Sequence, residues 1–339
     1  MLPGLHLERV HAHLREHLPV VGDEMSADLL AGGRSNLTYV LNDGSRRWIM
    51  RRRPLGTLAS SAHDMAREYT VTRALHGSAV PVPATLLHTE DDSITGAPFT
   101  IYEFVEGPVA RSSNDLDLLP NDRIVEIAYD LIDVLAKLHA IDIDAVGLGA
   151  LGRPRGYLGR QVRRFGSQWD LHKTRNDADV DALKKELERH CPDDSASSLV
   201  HGDFRVDNAI LSLRAGPRIR AVVDWEMATL GDPLADLGLH LVYRDPRFAP
   251  VMGGNPASSD ARMPEAALLA RHYARRSGRA LDQLPFCLAL GYFKAAVIAD
   301  DIHRRYMAGD TVGSGFAYAG AVVPVLARAG LAALDGCLQ

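Results

Sequence analysis

Cysteine is scarce in this chain: three residues in 339, Cys191, Cys287 and Cys337. Their wide separation matches neither a zinc-binding spacing nor a disulfide framework, which sets aside small stapled or zinc-built folds and suits a reducing compartment. No run of eighteen apolar residues occurs, and the opening MLPGLHLERVHAHLREHL lacks the apolar core of a secretory signal. The expectation is a cytoplasmic protein with no membrane partner. Positive charge is not in excess either, since 38 Lys and Arg against 43 Asp and Glu leave a net charge of -5, and nothing points to nucleic acid as a partner. A P-loop ending in Gly-Lys-Ser or Gly-Lys-Thr is missing, so one common design for holding nucleotide phosphates has no support. Internal repeats and low-complexity tracts are missing too.

What is present is enough apolar material, 46% of 339 residues, to bury one large core or two. Within it, residues 201 to 208 read HGDFRVDN, and an apolar run further on ends in the acid of VVDWE. A histidine, an aspartate two residues on, an asparagine five beyond that, and a later strand ending in a second aspartate are the groups kinase-type phosphoryl transfer requires. One carboxylate, Asp203, faces the attacking hydroxyl. An amide and a second carboxylate, Asn208 and Asp224, hold Mg2+ against the phosphates of ATP. Because that chemistry is positioning plus charge neutralisation, Asp203 and Asn208 must share a rigid loop, with short apolar strands near 198–200, 209–213 and 219–223 to carry the set. The rival reading, in which HGD and VDWE are ordinary turns whose acids cap backbone amides, does not explain both halves occurring in this order.

HGDFRVDN, VVDWE and the tail GDPLADLG (231–238) resemble the aminoglycoside phosphotransferase and choline kinase family, a branch of the protein-kinase-like fold. GGRSNLTYVL, RRRPLG, REY, PVP, IYEFVEG and GYLGRQVRRFGSQWD are similar to a subgroup found fused to acyl-CoA dehydrogenases. The resemblance spans residues 26 to 240 and implies an α+β, bilobal protein-kinase-like fold, with a β-rich N-lobe over 1–106 and a mostly helical C-lobe over 107–339. It implies a nucleotide loop at Gly32, Gly33, Ser35 and Asn36, where glycine lets backbone amides approach phosphate. Arg51 stands where kinases carry a strand lysine, with Glu68 as its helix partner, and arginine can bind phosphate bidentately. Glu103 and Val105 fall at the hinge, where backbone groups would meet adenine. His201, Asp232 and Asp236 are expected to brace the loop and cap helices.

Periodicity supplies the rest of the outline. Leu7, Val10, Leu14 and Leu18 make an amphipathic helix over 4–18, whose neighbours His11, His13 and His17 read as solvated surface rather than metal ligands. Strands follow at 26–30, 37–42 and 47–52, with Asn42-Asp43-Gly44-Ser45 as a hairpin signal, then a helix over 60–75 and strands near 86–88 and 99–105. Arg52 and Arg53 read as solvated charge at a strand end. Helical patterns occupy 124–138, 157–171, 178–190, 264–276, 285–307 and 316–334. Gly147 to Gly152 fits the dinucleotide fingerprint GxGxxG, but a helix precedes it and Arg153-Pro154-Arg155-Gly156 follows where a helix should open, so a dehydrogenase is not indicated.

The acceptor is a small-molecule hydroxyl. Residues 153–175 carry Arg153, Arg155, Arg160, Arg163, Arg164, Lys173 and Arg175 against the single acid Asp170, opposite to the acidic trough a polycationic aminoglycoside needs. An anionic acceptor, such as a hydroxyacyl-CoA suggested by the dehydrogenase fusions, fits better. An aminoglycoside-type phosphotransferase and a catalytically silent nucleotide-binding protein are the alternatives. The oligomeric state is not legible.

Overall fold

The structure, a computed structural model, describes residues 2–30, 36–53, 65–117, 119–153, 155–193, 196–212, 218–252, 254–309 and 316–336. The chain divides into two compact units, Met1–Glu106 with Arg220–Ala228, and Gly107–Ile219 with Thr229–Gln339. The segment 220–228, expected with the helical half, therefore belongs to the β-rich one.

The first unit opens with α1 (Leu7–His17), β1 (Ser26–Leu29), β2 (Leu37–Asn42) and β3 (Arg47–Arg52). It continues with α2 (Met65–Leu75), β4 (Thr85–Thr89), the short α3 (Asp92–Thr95) and β5 (Phe99–Glu103). The expected start of α2 at residue 60 or 61 lies outside the described residues. The strands form one antiparallel sheet in the order β1-β2-β3-β5-β4. Side chains alternate across a strand, so Tyr39, Leu41, Trp48, Met50, Phe99 and Ile101 share one face, and the Val10 and Leu14 stripe of α1 covers it. The β2–β3 turn forms locally: Asn42 accepts from the Gly44 amide at 2.8 Å and Asp43 from Ser45 and Arg46 at 2.9 and 2.7 Å.

Arg52 corrects its sequence reading. It sits on the core face with Met50, is 2% exposed, and donates to the carbonyls of Thr95, at 2.9 Å, and Gly4. The histidines of α1 also differ from free surface: His11 bonds the Gly22 carbonyl at 2.8 Å, and the half-buried His13 packs edge-on against Phe99. β5 stops at Glu103 rather than at 105, because Phe104 turns out to lie beneath the Arg47 guanidinium, 3.9 Å from its ring centre, while Arg47 also pairs with Glu106.

The second unit comprises α4 (Asn121–His139), α5 (Tyr157–His172), α6 (Ala178–Arg189), β6 (Ser198–Val200) and β7 (Ala209–Leu211). After β8 (Ile219–Val222), which leads into the 220–228 segment of the first unit, come β9 (Thr229–Gly231), α7 (Pro233–Val242), α8 (Ala266–Ser277), α9 (Leu284–Met307) and α10 (Val323–Leu334). β6 pairs antiparallel with β9. The stripe Ile124, Ile127, Ala128, Leu131, Leu135, Leu138 of α4 is buried as its 3.6 period requires. α7 had no sequence forecast, yet all ten of its residues are buried. Asp232 caps it by accepting from the Leu234 amide at 2.8 Å, with Pro233 in the first turn. α7 packs closely on α9 because Gly238 has no side chain: a β-carbon there would lie 2.8 Å from the Cys287 backbone. The apolar stretch Phe316–Leu334 is long enough by composition to span a membrane, but it is broken into a 3₁₀ segment (Phe316–Val322) and α10, whose buried face packs on α9 and α6.

Candidate active site

In the first unit, β-sheet register decides which arginine can meet α2. Arg51 pairs across the sheet with Thr38 and Thr100, on the face opposite Met50 and Arg52. From there its guanidinium reaches Glu68 Oε1 through Nη1 at 3.0 Å and Asp224 Oδ1 through Nη2 at 2.8 Å. A planar fork spans two carboxylates on separate elements in a way an ammonium point charge does not. Arg51 and Glu68 are 13% and 3% exposed in their side chains, and two buried polar atoms of the pair, Arg51 Nε and Glu68 Oε2, have no hydrogen-bond partner among the described residues. Burial pushes the Glu68 carboxyl above its ordinary range, with Asp224 and Glu226 acting the same way and Arg51 opposing them.

Asp224 holds a left-handed backbone, φ 72°, at the cap of a short 3₁₀ turn (Trp225–Met227). It is the only non-glycine residue at positive φ among the described residues. Such a conformation costs free energy for most side chains and is tolerated best by Asn and Asp. Asn36 donates to Glu226 Oε2 at 2.9 Å, so its side chain ties the start of β2 to the turn after Asp224. Gly32, Gly33 and Ser35 lie outside the described residues. Glu103 accepts from the Ala84 amide at 2.9 Å, a bond internal to the sheet, and Val105 lies beyond the ladder.

In the second unit the loop after β6 places Asp203 and Asn208 together. Gly202, at φ 84°, makes the turn that a side chain would strain. The Asn208 amide nitrogen donates to the Asp203 carbonyl at 2.8 Å and to its Oδ2 at 3.1 Å. Arg205 Nε reaches the same Oδ2 at 3.2 Å while its Nη1 meets Asp207 at 3.0 Å. Tyr243 donates its hydroxyl to Asp203 Oδ1 at 2.5 Å. The carboxylate is thus held from three sides, is 21% exposed, and its Oδ1 takes a single donor among the described residues. A carboxylate oxygen accepts two hydrogen bonds, so Oδ1 retains one position for an incoming hydroxyl.

The support for this loop comes from α7, through residues spaced i, i+4 and i+7. Asp236 accepts from the backbone amides of His201 at 2.7 Å and Gly202 at 2.9 Å. His240 bonds the Phe204 carbonyl through Nδ1 at 3.0 Å, and Tyr243 holds Asp203. Burial alone would raise Asp236, but hydrogen bonding to and charge from His139, with His201 and its amide, hold the carboxyl below its ordinary range. His201 is fully buried and, as the sequence suggested, braces the loop: its Nδ1 accepts from the Asp203 amide at 3.3 Å. Sequence reasoning missed Tyr243, His240 and Arg205. Three polar residues on one face of an otherwise apolar helix were the available signal for the first two.

Burial lowers the His240 pKa from 6.5 to about 4, because the imidazolium would lose its hydration there, and Arg244 adds to the effect. The folded chain therefore binds fewer protons than the unfolded one across that window, and stability falls as pH drops from 6.5 towards 4. The full effect is about 3 kcal/mol. His240→Gln, which keeps a donor for the Phe204 carbonyl, is expected to flatten the pH dependence of the urea midpoint in this window. An unchanged acid slope in the variant would assign the loss to other groups.

Comparison with known proteins adds an independent line. The profile described as the phosphotransferase enzyme family matches residues 26–284. Acyl-CoA dehydrogenase family member 11 of Rattus norvegicus is 34% identical over 334 residues, covering 96% of this chain but 43% of the relative. The chain thus spans less than half the length of that relative. Among solved structures, a putative aminoglycoside phosphotransferase of Ralstonia eutropha superposes with a TM-score of 0.83 at 30% identity, covering 98% of this chain and 99% of the other. A thermostable mutant of aminoglycoside phosphotransferase APH(4)-Ia, in complex with ADP and hygromycin B, has a TM-score of 0.63 at 17% identity over 97% and 99% of the two chains, a likeness of fold alone.

Proposed function

The chain belongs to the phosphotransferase enzyme family, and from that premise we propose that it is an ATP-dependent kinase of a small-molecule hydroxyl. The carrying observation is Asp203, fixed by Tyr243, Arg205 and Asn208 with an acceptor position left on Oδ1. The hydroxyl oxygen forms its bond to the γ-phosphorus, its proton passes to Asp203, and the bond to ADP breaks with the electron pair leaving on the β-phosphate oxygen. Arg51, oriented by Glu68, binds nucleotide phosphates. The orphaned Arg51 Nε and Glu68 Oε2 fit a site whose remaining partner is a ligand. The Gly32, Gly33 and Ser35 loop is assigned to phosphate on its sequence alone, and the backbone at Glu103 to Val105 to the adenine edge.

Asn208 and Asp224 are the residues that would hold Mg2+. Asn208 gives its amide nitrogen to Asp203, which turns its amide oxygen away as a hard donor, and a carboxylate is the second ligand such an ion favours. Bound with the nucleotide, the ion neutralises charge on the phosphate oxygens. Asp203, which touches neither metal nor phosphate in this reading, would not be needed by a silent nucleotide-binding protein.

For the acceptor, the charge of residues 153–175 supports an anionic molecule, and a hydroxyacyl-CoA is consistent with the dehydrogenase family of the longer relatives. Part of this basic run serves the fold. Arg160 donates to the carbonyls of Arg153 and Arg155, Lys173 lies 3.8 Å from Asp181, and Arg175 pairs with Asp300 at 3.4 Å. Arg163 and Arg164 are exposed and make no salt bridge among the described residues. Reversing both to glutamate is expected to raise the KM for an anionic acceptor several-fold and leave that for ATP nearly unchanged, with the effect shrinking in salt over a Debye length of about 8 Å. The wider test is an ATP-consumption screen over hydroxyacyl-CoAs, free hydroxy acids, amino alcohols and aminoglycosides. Ready turnover of kanamycin with no response to any acyl-CoA would replace the anionic acceptor by the aminoglycoside reading.

A further inference from the structure

Lys294 lies in the interior of the second unit and has no part in the chemistry so far. It is 7% exposed, on a helix whose neighbouring positions Leu290, Phe293, Ala295 and Val297 are apolar core. A lysine so placed is normally paired with a carboxylate, since an unpaired buried charge is costly. Here no hydrogen bond or salt bridge to Nζ forms among the described residues, and the ammonium faces the ring of Phe165 on α5, 5.2 Å from Nζ to the ring centre.

Its helix packs on α7, the element that supports the Asp203 loop. α9 lies against α7 through Gly291, which would touch Val242 at 3.0 Å if it bore a β-carbon, and Lys294 follows one turn later. The next residue of α7's end, Tyr243, is the one bonded to Asp203. The charged and titratable groups that act on the ammonium are Asp236 of α7, Arg164 of α5, Asp203 of the loop and Cys287 of α9 itself. Burial pulls Lys294 down to about 8 against the two carboxylates, so it remains a cation at neutral pH with its hydrogen-bonding capacity unused.

Resting on the kinase reading, we propose that Lys294 binds the acceptor: its ammonium takes an oxygen bearing full or partial negative charge, a carboxylate or an acyl carbonyl, close to the hydroxyl that Asp203 faces. A buried cation within electrostatic reach of Asp203 disfavours an acceptor whose reacting hydroxyl is flanked by ammonium groups, and favours one flanked by an oxyanion or a polarised carbonyl. This assigns to one side chain the discrimination that the exposed arginines of α5 provide only through long-range charge.

The test is binding of defined probes to the full chain by calorimetry, in wild type and Lys294→Met, with 3-hydroxybutyrate, 3-hydroxybutyryl-CoA, coenzyme A and butane-1,3-diol. Wild type is expected to prefer 3-hydroxybutyrate to the diol, or the hydroxyacyl ester to coenzyme A, the first pair reporting a carboxylate and the second a carbonyl. Loss of a charge-assisted hydrogen bond should reduce that preference roughly 10- to 100-fold in the variant. Methionine fills similar volume without the charge, so the melting temperature should hold or rise. A variant that melts lower yet keeps the preference would make Lys294 structural and overturn the proposal. So would a wild type that binds neither 3-hydroxybutyrate nor its ester more tightly than the matching control. Wild-type Mg-ATP turnover, measured separately, judges the kinase reading, and its failure would leave the binding comparison to decide on Lys294.

Discussion

Asp203→Asn is expected to lower phosphoryl transfer by roughly 10²- to 10⁴-fold while nucleotide binding persists. The amide is nearly isosteric with the carboxylate and can keep its place: its oxygen can accept from Arg205 and Asn208, and its nitrogen can donate to the Tyr243 hydroxyl, which rotates to accept. The local fold therefore has little reason to change. What the amide cannot do is take a proton as the acceptor oxygen bonds to phosphorus. The loss corresponds to about 3–5 kcal/mol of barrier, within the range that general-base removal produces. Steady-state ADP release alongside a nucleotide-affinity measurement separates the two quantities. Near-normal turnover would mean that Asp203 only organises the loop, with Tyr243 and Asn208 bonded to it for structural reasons.

Substituting Asp224 should act on the nucleotide instead. Asp224→Asn keeps a side chain that tolerates the left-handed backbone at φ 72° and removes the charge. Its affinity for Mg-ATP is expected to fall by about 100-fold or more, because an amide is a poor replacement for a carboxylate ligand of magnesium. Binding of nucleotide without magnesium should change much less. Asp224→Ala should show the same loss together with lower stability, since it adds backbone strain of about 1 kcal/mol and removes one of the two carboxylates on Arg51. If Asp224→Asn bound Mg-ATP as tightly as the parent, the residue would be a structural partner of Arg51 and the metal assignment would fail.

Much of the fold was legible because its signals are local. β2 and β3 run over the residues their alternation marks, 37–42 and 47–52, and the turn between them is built by Asn42 and Asp43 bonding amides two and three residues on. α4, α5 and α6 follow the 3.6-residue stripes that define them. α7 escaped for the opposite reason: buried on every side, it has no solvent-facing stripe, and Asp236 and His240 are polar for the loop they hold. β5 stopped short because Arg47, 57 positions upstream of Phe104 in the chain, draws that ring out of the ladder, which no window around residue 104 contains. Arg52 read as solvated because a charged residue at a strand end usually is, and only the carbonyls of Thr95 and Gly4 explain its burial.

The candidate site divides along the same line. HGDFRVDN by itself determined that Asp203 and Asn208 would meet, since five residues on a tight loop with a glycine turn keep them within hydrogen-bond reach. VVDWE marked Asp224, and the family resemblance of RRRPLG and REY pointed to the arginine that stands in the lysine's place and to the helix acid Glu68. Tertiary structure decided that Arg51, and not Arg52 or Arg53, faces Glu68 and Asp224, because a pleated strand sends successive side chains to opposite faces and register alone selects between them. It decided too that α7 holds the loop through Asp236, His240 and Tyr243. Those contacts join residues 34 to 40 positions apart, and their free energy exists only once α7 has packed on the loop, so the spacing of Asp236, His240 and Tyr243 could mark a polar face but not the loop it holds.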